Sequence, residues 1–300
     1  MAQPGGGRVV AGDLWHSKRM DVRLMSSVEM FCDLATPFMG VDPFSTNVIG
    51  VHAAAILAGL RAPGAGDLWA AVVDDGEVVG VAMHTPPQPL FMSRTSALAA
   101  SQLAEAIFDK EHPVAGVNGE RASVTAFSER WSELSGDVSS VEVAMRMYRL
   151  GELRVPVGVS GRARPAGNDD IEVVTDWFAA FHAEAHRRPS TEDVRVVAEG
   201  RLTSGQLRVW VDDGKAVSLA AHSAPAQGVA RIGPVYTPPR CRRHGYGAAV
   251  TANATRTALD GGATHVALYT DLANPTSNSI YQGIGYVGDH DAEERRFGRP

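Results

Sequence analysis

The chain has little with which to cross-link itself. Only two cysteines, Cys32 and Cys241, occur in 300 residues. With no CxxC and no Cys/His ligand spacing, a disulfide framework and a structural zinc are excluded, and no metal is expected. A reducing cytoplasm is the compartment that fits such cysteine usage. Lysine is scarce as well, with Lys18, Lys110 and Lys215 the only ones among 28 basic residues. Against 34 acidic residues the net charge is -6, which leaves no electrostatic footprint for nucleic acid. The longest apolar runs fall short of the roughly 18 residues that span a bilayer, and no apolar core follows the basic residues near the N-terminus. Neither a membrane nor a secretory route is expected.

What is present is ample apolar material. At 44% hydrophobic and 21% charged residues, the chain can bury a large core, and its length suits two domains of about 150 residues. Residues 1–25 are Gly-rich and aperiodic in their first twenty and read as a flexible tail. Residues 156–169, rich in Gly, Pro and Arg, read as a linker. On either side of it stand VDDGEVVGVAMHT at 73–85 and VDDGKAVSLAAHS at 211–223, 138 residues apart, with seven of thirteen positions identical. Both are alternating apolar strands joined at Asp-Asp-Gly, a turn that tolerates positive φ. Convergent hairpin chemistry would also produce the match. The helical periodicity before each hairpin, and the proline-bearing segment and helix after it, favour two copies of one unit.

The second copy reads as a helix carrying Ile171, Val174, Trp177, Phe178, Phe181 and Ala185 on one face, then a shorter helix over 191–199. Strands follow at 206–211, 216–223 and 229–236. After Gly245 comes a helix stopped by Gly261 and Gly262, then a strand over 264–270 and a helix from Pro275. Such an order makes a mixed sheet with helices on its faces, an α/β (α+β) fold.

Between the strand over 229–236 and the helix after Gly245 lies Arg242-Arg243-His244-Gly245-Tyr246-Gly247, of the form R-x-x-G-x-G. Glycines at this spacing let the backbone approach a bulky anion and leave first-turn N–H groups pointing outward, where the helix dipole favours negative charge. Arginine guanidinium groups add bidentate donors for phosphate. A pyrophosphate cradle and a plain glycine-assisted turn with solvated arginines both fit these residues. A P-loop and a dinucleotide fingerprint fit worse, since G-K-[ST] and the full G-x-G-x-x-G are missing.

A second segment follows the next strand: Asn274, Ser277, Tyr281, Gly285 and Tyr286 match N-x-x-A/S-x-x-x-Y followed by G-F or G-Y. With both motifs in this order the chain resembles the GNAT superfamily of acyl-CoA-dependent N-acyltransferases. The resemblance implies a GNAT-like, mainly antiparallel mixed sheet flanked by helices, and transfer of an acetyl or other acyl group from acetyl-CoA to a small-molecule or protein amine by direct attack in a ternary complex. It implies that Arg242, Arg243, His244, Gly245, Tyr246, Gly247 and Ala248 form the pyrophosphate loop, and that the backbone at Val235, Tyr236 and Thr237 pairs with pantetheine. By the same resemblance Asn274 and Ser277 meet CoA, and Tyr281 both contacts CoA and protonates the departing thiolate. Arg243 stands where many members carry a further glycine, making the loop bulkier. The residues alone leave open a catalytically silent CoA-binding sensor or scaffold. A homodimer is compatible with everything above.

The general base is not specified by pattern; His222, Asp271, Glu184 and His182 are the candidates, and His222 recurs as His84 in the first copy. Shifting the loop by 138 lands on 102–109, QLAEAIFD, without glycine or arginine. The expected organisation is thus a tail over 1–25, a degenerate GNAT-like domain without the CoA motif over 26–155, a linker over 156–169, and a catalytic N-acetyltransferase domain over 170–300.

Overall fold

The computed structural model describes residues 20–185 and 194–299. The chain begins with strand β1 (Asp21–Met25), helices α1 (Val28–Val41) and α2 (Asn47–Leu57), and strands β2 (Leu68–Asp74), β3 (Glu77–His84) and β4 (Leu90–Met92). Helix α3 (Ala97–Asp109), β5 (Gly116–Glu120), α4 (Arg121–Ser135) and β6 (Val138–Leu150) follow. The second half runs β7 (Arg162–Pro165), α5 (Ile171–Ala185), α6 (Val194–Thr203), β8 (Leu207–Asp212), β9 (Lys215–His222) and β10 (Val229–Tyr236). It closes with α7 (Tyr246–Asp260), β11 (His265–Asp271), α8 (Pro275–Gly283) and β12 (Tyr286–Gly298).

The strands form one mixed sheet in the order β1-β2-β3-β4-β5-β12-β6-β11-β10-β9-β8-β7. Only β4–β5 and β10–β11 are parallel. The order is palindromic: five strands of each half flank a central pair, and in that pair the halves have traded places. Strand β12 of the second half lies beside β5, while β6 of the first half lies beside β11. These two thirteen-residue strands also pair with each other along their length.

The repeat read from the hairpins extends to their irregularities. Asp75 and Gly76 (φ 50° and 88°), like Asp213 and Gly214 (φ 47° and 73°), turn with two positive φ values, the geometry whose twist suits a two-residue hairpin. The β2–β3 ladder shifts register between Val72 and Val73, and the β8–β9 ladder between Trp210 and Val211, again 138 apart. One sheet face carries α3 and α4 over Leu103, Ile107 and Phe127, and α7 and α8 over Val250, Ala254 and Tyr281. The other carries α1 and α2 over Trp69 and Val81, and α5 and α6 over Trp177, Phe178 and Leu219. Among the described residues no helix is long and apolar enough to cross a membrane.

Three expectations need correction. Residues 21–25 are not tail: Val22 and Leu24 pack on the core, and the segment pairs with β2; residues 1–19 lie outside the described residues. The stretch 156–169 holds β7, which pairs with β8 despite its Pro and Gly content because an edge strand needs only one bonded side. The constant shift of 138 fails beyond the hairpins. Helix α3 runs from Ala97 to Asp109, so 102–109 lies inside it: β4 has three residues where β10 has eight, and four residues lead on to the helix where nine lead from β10 to α7. The first-half counterpart of the glycine loop is therefore the turn ending at Ser96, whose side chain accepts from the Ala99 N–H and caps the helix. The first part of the helix expected over 191–199 lies outside the described residues.

Candidate active site

Strands β10 and β11 are bonded in parallel only at Val229–His265, Ala230–Val266 and Arg231–Ala267. Beyond that point β11 continues against β6, and β10 continues against β9 across a bulge between Ile232 and Val235. The two strands separate, so the backbone of Gly233 to Tyr236 has no ladder partner on its β11 side. Val235, Tyr236 and Thr237 lie along this gap.

The gap leads to the start of α7. Cys241 and Arg242 N–H groups close a short 3-10 turn on Pro238 and Pro239. Then Arg243 (φ 65°) and Gly245 (φ 82°) turn the chain left-handed into the helix. Gly245 occupies the N-cap and supplies no side-chain cap. Among the described residues the N–H groups of Arg243, His244 and Gly245 meet no carbonyl, and those of the first helical turn have none by geometry. The result is a row of outward-pointing donors at the positive end of a fifteen-residue helix. A Cβ on Gly245 would come within 2.9 Å of Val159 Cγ2, and one on Gly247 within 3.2 Å of Thr237 Oγ1; the cradle is as narrow as glycine allows. Tyr246 fastens it from below, donating its phenol hydrogen to Asp212. That hydrogen bond and one from Ser160 hold the Asp212 carboxyl below its usual range. The His244 ring stacks on Tyr246, centroids 5.4 Å apart.

One arginine of the loop has partners within the chain. Arg242 is already engaged: its Nε donates to the Thr237 carbonyl at 2.9 Å and its Nη2 to Glu184 at 2.7 and 3.0 Å. It ties the loop to α5. Sequence pattern could not foresee this, because Glu184 is 58 residues away.

Asn274 caps α8, its Oδ1 accepting from the Ser277 N–H at 3.0 Å. The helix is further held by Tyr148 of β6, whose hydroxyl donates to Asn278 Oδ1 at 2.9 Å and accepts from Gln282 Nε2 at 3.1 Å. Tyr148 was not foreseen; it comes from the other half of the chain, and only the strand exchange brings it here. On α8, Tyr281 packs into the cluster that Val235 and Ala248 border, which unites gap, cradle and phenol. Among the described residues the Tyr281 hydroxyl has no hydrogen-bond partner. Burial pushes it up to about 12, so it keeps its proton at neutral pH.

The candidate bases fare unequally. Glu184 is bonded to Arg242 and accepts from the Tyr236 hydroxyl at 3.1 Å. Asp271 closes the turn before α8 through the Ala273 N–H. His222 pairs with Ile232, whose side chain lies under α7 and α8, and burial holds it below its usual value. His182 lies on α5, edge-on to Phe181. The structure does not bring these four together.

The mixed sheet of this α/β domain thus parts over an uncapped helix start. Residues 171–286 match the family model "Acetyltransferase (GNAT) family", and the chain thus carries a domain of that acetyltransferase family. A Drosophila protein of solved structure shares the fold with a TM-score of 0.65 at 14% identity, over 92% of this chain and 98% of its own. A GCN5-related N-acetyltransferase from Sphaerobacter thermophilus aligns with 0.60 at 17%, over 93% and 96%. A tandem GNAT protein from the clavulanic acid biosynthesis pathway aligns with 0.55 at 12%, over 93% and 98%. At these identities the likeness is one of fold, and it spans both halves. No curated protein matches the sequence.

Proposed function

We propose that the second half transfers an acetyl group, or another acyl group, from acetyl-CoA to an amine by direct attack in a ternary complex in the cytoplasm. The observation that carries this reading is the coincidence of three features: the β10–β11 gap, and, among the described residues, unpaired amides at 243–248 and a protonated Tyr281 without a hydrogen-bond partner in the same cluster. The residues fit CoA. The amides would hold the pyrophosphate, and the free backbone of Val235 to Thr237 would pair with the pantetheine amides. Bound acetyl-CoA supplies the thioester. This chain holds it in place while the amine approaches from the opposite sheet face, and such positioning lowers the barrier without a covalent nucleophile.

Tyr281 stabilises the leaving sulfur. With its phenol up at about 12 and an ordinary thiol near ~8.5, full proton transfer is uphill. Its larger contribution is a hydrogen bond to the developing thiolate. In this reading residues 170–300 carry the chemistry, and 26–155 form a GNAT-like half without a CoA cradle, because Ser96 occupies the helix N-cap that Gly245 leaves open.

The test is a thermal shift with acetyl-CoA followed by thiol detection with an amine panel. Ligand at about 100 times its Kd stabilises by about 2.7 kcal/mol. No shift at millimolar acetyl-CoA would overturn the proposal, and a shift without thiol release for any amine would leave a binding protein in its place.

A further inference from the structure

The face of the gap opposite α7 and α8 carries positive charge that the reaction above does not use. Arg231 is the last residue of β10 bonded to β11. Its backbone is satisfied by Ser223, whose N–H donates to its carbonyl at 2.9 Å and whose Oγ accepts its N–H at 3.0 Å. The side chain projects on the face of Val229, and two helices flank that face, one from each half. Helix α2 lies close, with Asn47 Nδ2 donating to the Val229 carbonyl at 2.9 Å. A Cβ on its Gly50 would meet Gln227 Oε1 at 2.7 Å. From α6, Arg201 donates to Gln206 Oε1 and to the His222 carbonyl.

Arg231, Arg201 and His52 of α2 feel one another. Burial and the Arg231 charge hold Arg201 down to about 10. His52 is held down to about 4 by burial, with Arg231, Arg61 and Arg201 adding to it. Among the described residues no carboxylate pairs with Arg231 or Arg201. Beside them on β11, Tyr269 does face Asp42 and Asp289, but Arg94 and Arg149 already hold these acids. Asn47 is fully buried and its Oδ1 is unpartnered. Desolvated guanidinium groups without a counter-ion are costly, and an anion entering from this face removes the cost.

We propose that this pocket, built by both halves, binds an anionic group of the acceptor, so that the acceptor is an amine that also carries a carboxylate or a phosphate. The inference rests on the acyltransferase reading for the word acceptor, and it assigns the first half a share in substrate choice.

The experiment compares matched amines with acetyl-CoA as donor: an α-amino acid against its carboxamide, and phosphoethanolamine against ethanolamine. The anionic member of at least one pair is expected to have a kcat/KM about tenfold or more above its neutral partner, and the pair that responds identifies carboxylate or phosphate. Arg231→Met should erase the preference, keep the acetyl-CoA thermal shift, and melt no lower than the parent, since it removes a half-buried charge that has no carboxylate partner among the described residues. His52→Asp, which places a competing carboxylate on α2, should erase the preference as well. Neutral and anionic amines used equally well, or a preference that survives in both variants, would overturn the inference while leaving the acyltransferase reading intact. If acetyl-CoA itself gives no shift, that reading fails, and the pocket is judged by inorganic phosphate: stabilisation of the parent but not of Arg231→Met supports it, and equal responses overturn it.

Discussion

Removing a single oxygen from Tyr281 separates packing from chemistry. Tyr281→Phe keeps the ring in the cluster with Val250, Ala254 and Ile284 and against Tyr286, centroids 6.3 Å apart. Because the phenol has no hydrogen-bond partner among the described residues, the substitution forfeits no hydrogen bond there, and the variant should stay within about 1 kcal/mol of the parent in stability. In the reaction the lost hydrogen bond is one to a developing charge, about 2–3 kcal/mol, or roughly 30- to 150-fold in kcat. The acetyl-CoA thermal shift should persist.

Alkaline stability adds an independent reading. The phenol is raised in the folded state, to about 12, so above the unfolded value near ~10 the unfolded chain ionises first and binds fewer protons. Stability is therefore fully present below about pH 10 and falls as pH rises toward 12, by about 3 kcal/mol for two units at ~1.4 kcal/mol each. The phenylalanine variant should lack that share of the loss. Stopped thiol-detection assays and pH-dependent urea melts measure both. A rate within threefold of the parent would remove Tyr281 from the leaving-group role, and a loss of more than about 1 kcal/mol at neutral pH would mean the hydroxyl has a structural partner after all.

Three further outcomes are expected. Gly245→Ala places a Cβ at φ 82° and 2.9 Å from Val159, so it should cost about 1–2 kcal/mol from the left-handed conformation alone. It should also weaken the acetyl-CoA shift, with Val159→Ala restoring part of it; full binding in the single variant would show the cradle lies elsewhere. Tyr148→Phe removes two hydrogen bonds to α8 and should lower stability by about 1–2 kcal/mol, with kcat falling because Tyr281 rides on that helix. An unchanged melting temperature would refute the cross-half support. Glu184→Gln breaks a half-exposed pair with Arg242, worth about 1 kcal/mol or less, and should leave the pH–rate profile in place; a hundredfold loss with a shifted acid limb would make Glu184 the base.

Local chemistry is legible in the sequence where it is self-contained. The DDG hairpins, the strand over 229–236, the helix entered at Gly245 and stopped at Gly261, and the proline-started helix carrying Tyr281 are all found where periodicity and turn residues place them. Each depends on neighbours within a few positions. The turn at Ser96 was legible in principle, as a serine before an apolar periodic run, but a fixed repeat distance carried the comparison past it. The segments 21–25 and 162–165 were misread because short edge strands show too few alternations to outweigh glycine and proline nearby.

The amino-acid sequence by itself determined the class of fold, the doubled unit and the glycine cradle, because helix periodicity, positive-φ turns and an uncapped helix start are written in contiguous residues. Tertiary structure alone decided that β6 and β12 cross between halves, that Tyr148 supports α8, and that Arg242 answers to Glu184. It alone decided, too, that Arg231 and Arg201 come within reach of each other's charge with no carboxylate paired to either among the described residues. Charge partners and strand neighbours are set by which distant segments share a surface once apolar faces are buried, and a sheet that joins its halves through exchanged central strands has no local signature.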